Sequence, residues 1–245
     1  MPTVQQIIQQ LRVYGSEEHR ASKARLGVPL TSALGVPLPV IRQMGKELGR
    51  NQKLALALWQ SGLHEARLLA ALVAEPDKMT VELIDEWLSD VVSWDLCDHL
   101  CNNLLVEAPL CWPHIPAWAK DEREFVRRAA FALICNLSIH QTQAEKALVK
   151  EHLKLIRRYA HDGRNYVKKA VSWALREIGK READFGVLAE ARALAEELAK
   201  SKNAAERWVG NDALKELAAL TSVPGRKRLV SNKTKSGAQA MRKLK

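Results

Sequence analysis

Trp94 and Asp98 stand four residues apart, a spacing that puts both side chains on one face of a helix. An indole is a flat, polarisable wall, and a carboxylate is a fixed anion that can sit where positive charge develops. Together they could line a groove and stabilise a cation formed in it. The same spacing also serves plain architecture, with Trp94 packed against neighbours and Asp98 capping or pairing with an adjacent element. Arg127 and Arg128 come next. Adjacent residues diverge by about 100° on a helix, so at most one of them faces a given groove. A guanidinium there suits a bidentate phosphate contact; the alternative is an exposed charge of little energetic weight. Lys168, Lys169, Trp173, Arg176 and Trp208 extend this set of cations and indoles.

Other chemistries lack their signatures. The chain has no glycine-rich phosphate loop, no HExxH and no GxSxG, which argues against a metal-dependent or nucleotide-hydrolysing enzyme. Cys97, Cys101, Cys111 and Cys135 are the only cysteines, and they read as buried reduced thiols rather than as a metal site.

The elements that must position these residues are helical. Apolar periodicity predicts helices over 4–13, around 19–26, and over 40–48, 51–60, 65–74, 80–88, 94–106, 112–119, 123–136, 142–159, 164–179, 184–199 and 204–220. Between the second and third lies GVPLTSALGVPLP (27–39), whose prolines each remove a backbone donor and forbid one continuous helix. Five segments align in register: Leu63-His-Glu-Ala-Arg, Trp94-Asp-Leu-Cys-Asp, Phe125-Val-Arg-Arg-Ala, Tyr166-Val-Lys-Lys-Ala and Trp208-Val-Gly-Asn-Asp. Their intervals are 31, 31, 41 and 42 residues, the length of a helix pair in HEAT- or ARM-like repeats. Each pair cannot bury its apolar face alone, so the expectation is an all-α chain of stacked helical repeats forming a curved α-solenoid. Its concave wall would draw on the same helix of every repeat.

Composition narrows the setting. The 245 residues suffice for one large domain or two small ones, and the 47% apolar content excludes wholesale disorder. No apolar run approaches the roughly 18 residues of a membrane span, and MPTVQQIIQQ lacks the pattern of a secretory signal. A cytoplasmic monomer that makes no membrane contact is therefore expected. The net charge is +10, but eight of the 38 basic residues fall in 221–245, which contains no acidic residue. The other 220 residues carry 30 basic against 28 acidic side chains. The expected organisation is a repeat domain over 1–220 and a basic, disordered tail over 221–245, either solubilising or phosphate-binding.

At this point five segments resemble one family. GVPLPVIRQMGKELG (35–49), LWQSGLHEARLLAALV (58–73), SWDLCDHLCNNLL (93–105), REFVRRAAFAL (123–133) and NYVKKAVSWALREIGKR (165–181) are similar, in order, to the AlkD-like DNA alkylation repair proteins. The likeness spans roughly residues 20 to 220 and omits the basic tail. It implies a HEAT-like repeat DNA glycosylase that needs no cofactor and no metal. Such an enzyme hydrolyses the bond between deoxyribose and a cationic alkylated purine, of the 3-methyladenine or 7-methylguanine type, in double-stranded DNA. The family's Trp-x-x-x-Asp pair falls on Trp94 and Asp98, its arginine on Arg128, and its second tryptophan on Trp173. Asp98 would stabilise an oxocarbenium-like sugar. Trp94 and Trp173 would cradle that sugar, and Arg128 would hold the adjacent phosphate. Lys168, Lys169 and Arg176 join Arg128 as expected phosphate contacts. The family is thought to act at the duplex surface without a base pocket, unlike most base-processing enzymes. Its N-terminal helix probes the minor groove; here that region is broken by Gly27, Pro29, Gly35 and Pro37. The competing function is a noncatalytic helical-repeat protein binding damaged, bent or branched DNA.

Overall fold

The computed structural model describes residues 2–25, 27–141, 145–234, 238–239 and 242. Among these the chain is all-α apart from one two-stranded ladder, and it divides into two compact units, Met1–His114 and Ile115–Lys245. The expectation of one repeat domain over 1–220 placed no division at residue 114.

The first unit holds α1 (Val4–Tyr14), α2 (Glu17–Arg25), α3 (Leu38–Leu48), α4 (Gln52–Gln60), α5 (His64–Val73), α6 (Val81–Ser89) and α7 (Trp94–Asn103). The second holds α8 (Ile115–Lys120), α9 (Glu124–His140), α10 (Lys146–Tyr159), α11 (Asn165–Gly179), α12 (Glu182–Phe185), α13 (Leu188–Ala199) and α14 (Ala204–Leu217). It ends in β1 (Leu220–Thr221) paired antiparallel with β2 (Val230–Ser231).

Local chemistry explains where the helices begin. Thr3 and Gln6 form a capping box at α1, and the Asn51, Thr80 and Asn203 side chains accept backbone N–H groups at α4, α6 and α14. A second device recurs before four helices. Ser61, Asp121, Asp162 and Ser201 each stand three residues ahead of a helix, and their side-chain oxygens accept the N–H two residues on, at 2.8–3.3 Å. This local turn fixes the chain's approach to α5, α9, α11 and α14.

Those helices are the second members of helix pairs. α4 packs on α5, α8 on α9, α10 on α11 and α13 on α14, while α5 lies between α3 and α7, and α11 between α9 and α14. Flanked this way, α9 is buried on nearly every face from Val126 to Ser138, which suits its run of alanine, leucine, phenylalanine and isoleucine. The repeat length is written in the contacts between neighbours. In the first unit, bonds recur at a separation of 31: Leu34 N–H to Glu65, Trp59 to Asp90, His64 to Asp95, and His99 to the Leu68 carbonyl. In the second the separation is 40: Lys146 to Gly186, Arg157 to Glu197, Ser172 to Asp212, and Arg176 to Glu216.

Trp59 and Trp87 are fully buried and stacked face to face, with ring centroids 4.0 Å apart and planes 4° apart. Arg67 lies 5.2 Å from the Trp59 centroid, and Asp90 accepts from both Trp59 and Arg67. Glu65, with no exposed surface, accepts the backbone N–H groups of Leu34 and Gly35 at 2.8 Å and of Val36 at 3.3 Å. It thereby holds the non-helical 27–37 stretch. Gly35, at φ 78°, passes so close to α2 that a Cβ would lie 2.7 Å from the Arg20 nitrogen.

The C-terminal expectation needs correction. Residues 221–234 are not a free tail, because Val223, Val230 and Ser231 are buried and the Leu229 N–H donates to the Lys180 carbonyl at 2.8 Å. The apolar residues between the cations supply the anchoring that the composition concealed. Positions 235–237, 240–241 and 243–245 lie outside the described residues, as do 142–144 of the predicted helix over 142–159. No helix among the described residues is long and apolar enough to cross a membrane.

Candidate nucleic-acid interface

In the first unit, α7 opens on Trp94 with Asp98 one turn later, both half-buried. Between them Asp95 is held through one oxygen: its Oδ2 accepts from Lys23 of α2 at 2.9 Å and lies 3.0 Å from His64 Nε2 of α5. Burial alone would raise the Asp95 carboxyl, but the bonds and charges of His64 and Lys23 outweigh it and hold it well below the usual range. Asp95 therefore ties α7 to two neighbouring helices, and Asp98 is the helix's other carboxylate. Residue spacing along one helix did not reveal this network; the 31-residue repeat, which carries His64 onto Asp95, was the available signal.

The rest of α7 is inert. His99 Nε2 donates to the Leu68 carbonyl at 3.0 Å, and burial pushes its imidazole down to about 4, so it is neutral at physiological pH. The four cysteines are buried and form no disulfide. Cys101, hydrogen-bonded to Cys97, is raised far above an ordinary thiol, and burial lifts Cys111 to about 12; neither supplies a thiolate.

In the second unit, α9 carries both arginines and buries both. Arg127 donates to Asp162 at 2.6 Å and to the Lys120 carbonyl at 3.1 Å, with Tyr159 under its guanidinium at 5.2 Å. Burial raises the Asp162 carboxyl, but Arg164 and Arg127 together bring it down to about 2. Arg127 is thus a structural cation. Arg128 is 5% exposed, and its Nη1 donates to the Tyr166 carbonyl at 2.5 Å.

On α11, Lys169 is exposed, while Lys168 and Trp173 are half-buried. The Lys168 ammonium lies 5.1 Å from the Trp208 ring of α14. This contact, with Ser172 to Asp212 and Arg176 to Glu216, sets Trp208 opposite Lys168 rather than Tyr166, two residues from its sequence alignment. Phe125 and Tyr166 do meet as aligned, with centroids 5.5 Å apart.

Arg176 is less available than its sequence suggests. It pairs with Glu216, lies 3.9 Å from Asp212 and donates to the Ser172 carbonyl. Burial raises the Glu216 carboxyl, yet Lys180 and Arg176 keep it below its ordinary range. Neither Asp212 nor Glu216 was among the residues picked from sequence, although Asp212 closes the aligned Trp208 segment, because spacing does not show which carboxylate of the next repeat meets Arg176.

The family described as "DNA alkylation repair enzyme" matches residues 7–217. A solved structure described as "a new family of proteins related to the HEAT-like repeat DNA glycosylases with affinity for branched DNA structures" aligns over 99% of this chain and 95% of that one, at 16% identity and a TM-score of 0.74. A designed armadillo repeat protein in complex with a (KR)4 peptide aligns at 15% identity over 84% of this chain and 80% of that one, with a TM-score of 0.35. No curated protein matches the chain. The first alignment assigns the HEAT-like repeat fold.

Proposed function

The chain belongs to the DNA alkylation repair enzyme family, and from that premise we propose that it is a monofunctional glycosylase releasing cationic alkylated purines from duplex DNA. The observation that carries this reading is the half-buried Trp94–Asp98 pair on α7, beside an Asp95 already held by Lys23 and His64.

The chemistry asks little of the protein. A purine alkylated on a ring nitrogen already carries positive charge and departs as a neutral base, so no general acid is required. Positive charge develops on the sugar as the bond breaks. Asp98 stabilises that oxocarbenium-like cation and orients the water that attacks it. Trp94 offers its π face to the cationic sugar, and Trp173 on α11 of the second unit is the second indole that the family resemblance implies. Lys168 and Lys169 supply phosphate contacts, as does Arg128 once its guanidinium exchanges the Tyr166 carbonyl for a phosphate oxygen. Arg176, matched by Glu216, contributes least to that set.

The test is release of 7-methylguanine from methylated duplex DNA by wild type and by Asp98→Asn, without added metal. Removing one electrostatic stabiliser costs about 10²–10³ in rate, so the variant should release base at that reduced rate while binding DNA as before. Equal rates would remove Asp98 from the mechanism. DNA binding without release by either protein would favour the noncatalytic reading, a repeat protein that recognises distorted or branched DNA.

A further inference from the structure

The ladder of β1 and β2 closes a loop over 222–229 that the proposed chemistry does not use. Val223-Pro224-Gly225-Arg226 is a tight turn: the Arg226 N–H donates to the Val223 carbonyl at 3.0 Å and Gly225 takes φ 76°. Proline at the second position and a positive-φ glycine at the third are the requirements of a type II turn. Arg226 and Lys227 are thereby displayed on a preformed tip, and Lys233 follows just beyond β2; all three are exposed.

The base of the hairpin is anchored by charge as well as by Val223 and Val230. Arg228 pairs with Glu177, whose side chain is 4% exposed. Glu177 also receives Lys180 at 2.9 Å, and Lys180 reaches Glu216 at 2.5 Å, which in turn pairs with Arg176. A chain of alternating charge thus runs from α11 and α14 into the hairpin. It neutralises Arg228 and leaves Arg226, Lys227 and Lys233 with no ion pair among the described residues. No carboxylate side chain occurs anywhere in 221–245 to offset them.

We infer that residues 220–234 form an anchored cationic hairpin that grips the phosphate backbone of duplex DNA without regard to sequence or damage. A rigid turn carrying guanidinium and ammonium groups fits a polyanion of regular charge spacing, and its binding should be driven by counterion release. The inference rests on the DNA-binding half of the function proposed above, not on its chemistry.

The experiment is fluorescence anisotropy of an undamaged duplex of arbitrary sequence over a series of NaCl concentrations. It compares wild type, the surface variant Arg226→Ala/Lys227→Ala/Lys233→Ala, and the anchor variant Glu177→Gln. Each lost phosphate contact lowers the slope of log K against log salt by about 0.9, so the triple variant should lose about 2 to 3 from the slope. Glu177→Gln should bind more weakly although it makes the protein one charge more positive, since it frees Arg228 and loosens the hairpin. Thermal unfolding confirms that both variants are folded. An unchanged slope in the triple variant overturns the inference, as does tighter binding by Glu177→Gln. Loss of binding to phosphatidylserine vesicles by the triple variant, with its DNA slope intact, overturns it in favour of a membrane surface. A wild type that releases no base yet shows the slope difference leaves the hairpin standing and removes only the glycosylase.

Discussion

Glu65 illustrates how a single residue can organise a stretch that sequence patterning left blank. Its two oxygens satisfy three consecutive backbone donors of a segment that prolines keep out of helix. Glu65→Gln preserves the shape but removes the charge and turns one acceptor into a donor facing an N–H. Hydrogen bonds to a charged group contribute about 1.5–3 kcal/mol, so a loss near 3 kcal/mol is expected, measured as a lower urea midpoint with an unchanged m-value. A midpoint equal to wild type would mean that the 34–36 backbone is held by something else. The candidate catalytic pair was legible at this scale because four-residue spacing is a local property. The roles of Asp95, Arg127 and Arg176 were not legible, since each is decided by a partner 31 to 40 residues away in the neighbouring repeat.

Helices and their packing supply the next level. Gly210 of α14 lets that helix approach α13 so closely that a Cβ would stand 2.6 Å from the Ala195 carbonyl oxygen and 2.8 Å from the Ala199 Cα. Alanine favours a helix interior by about 1 kcal/mol over glycine, but overpacking costs about 1–3 kcal/mol, and backbone cannot step aside as a flexible side chain can. Gly210→Ala should therefore lower the melting temperature. Gly163→Ala, where a Cβ meets nothing within 4 Å, should leave it unchanged or slightly raised. The reverse order would contradict the packing described for α13 and α14. Most helices were legible from apolar periodicity alone. Their ends were less so: the helix predicted over 184–199 is broken at Gly186, which adopts φ 58°, and the one predicted to reach residue 220 stops at Leu217. The hairpin that follows was missed because its basic composition outweighed two small apolar anchors.

Across the whole molecule, protonation should act on both units. His99 in the first and His152 in the second are buried, and burial pushes each imidazole from an ordinary 6.5 down to about 4. A depressed imidazole favours the unfolded chain once protons become available, because the unfolded histidine takes one up first. The stability it represents is complete above pH 6.5 and is lost as pH falls toward 4, by about 3 kcal/mol for each residue. Melting temperature should therefore drop steeply across that window. A His99→Gln/His152→Leu variant should show a flatter profile than wild type, and parallel profiles would exclude these two residues as the cause. The change of repeat length from 31 to 40 residues follows the division into two units, a correspondence readable from the sequence intervals only once the division was known.

The stacked pair of Trp59 and Trp87 has an optical consequence. Two nearly parallel indoles 4.0 Å apart, shielded from water, couple their electronic transitions and should give an exciton couplet in circular dichroism. Both rings belong to the first unit, so the couplet reports whether that unit is folded even while helical ellipticity sums over the entire chain. The protein carries its own chromophoric gauge, one that needs no label and that tells loss of the chemistry proposed for Asp98 apart from collapse of the helices that present it.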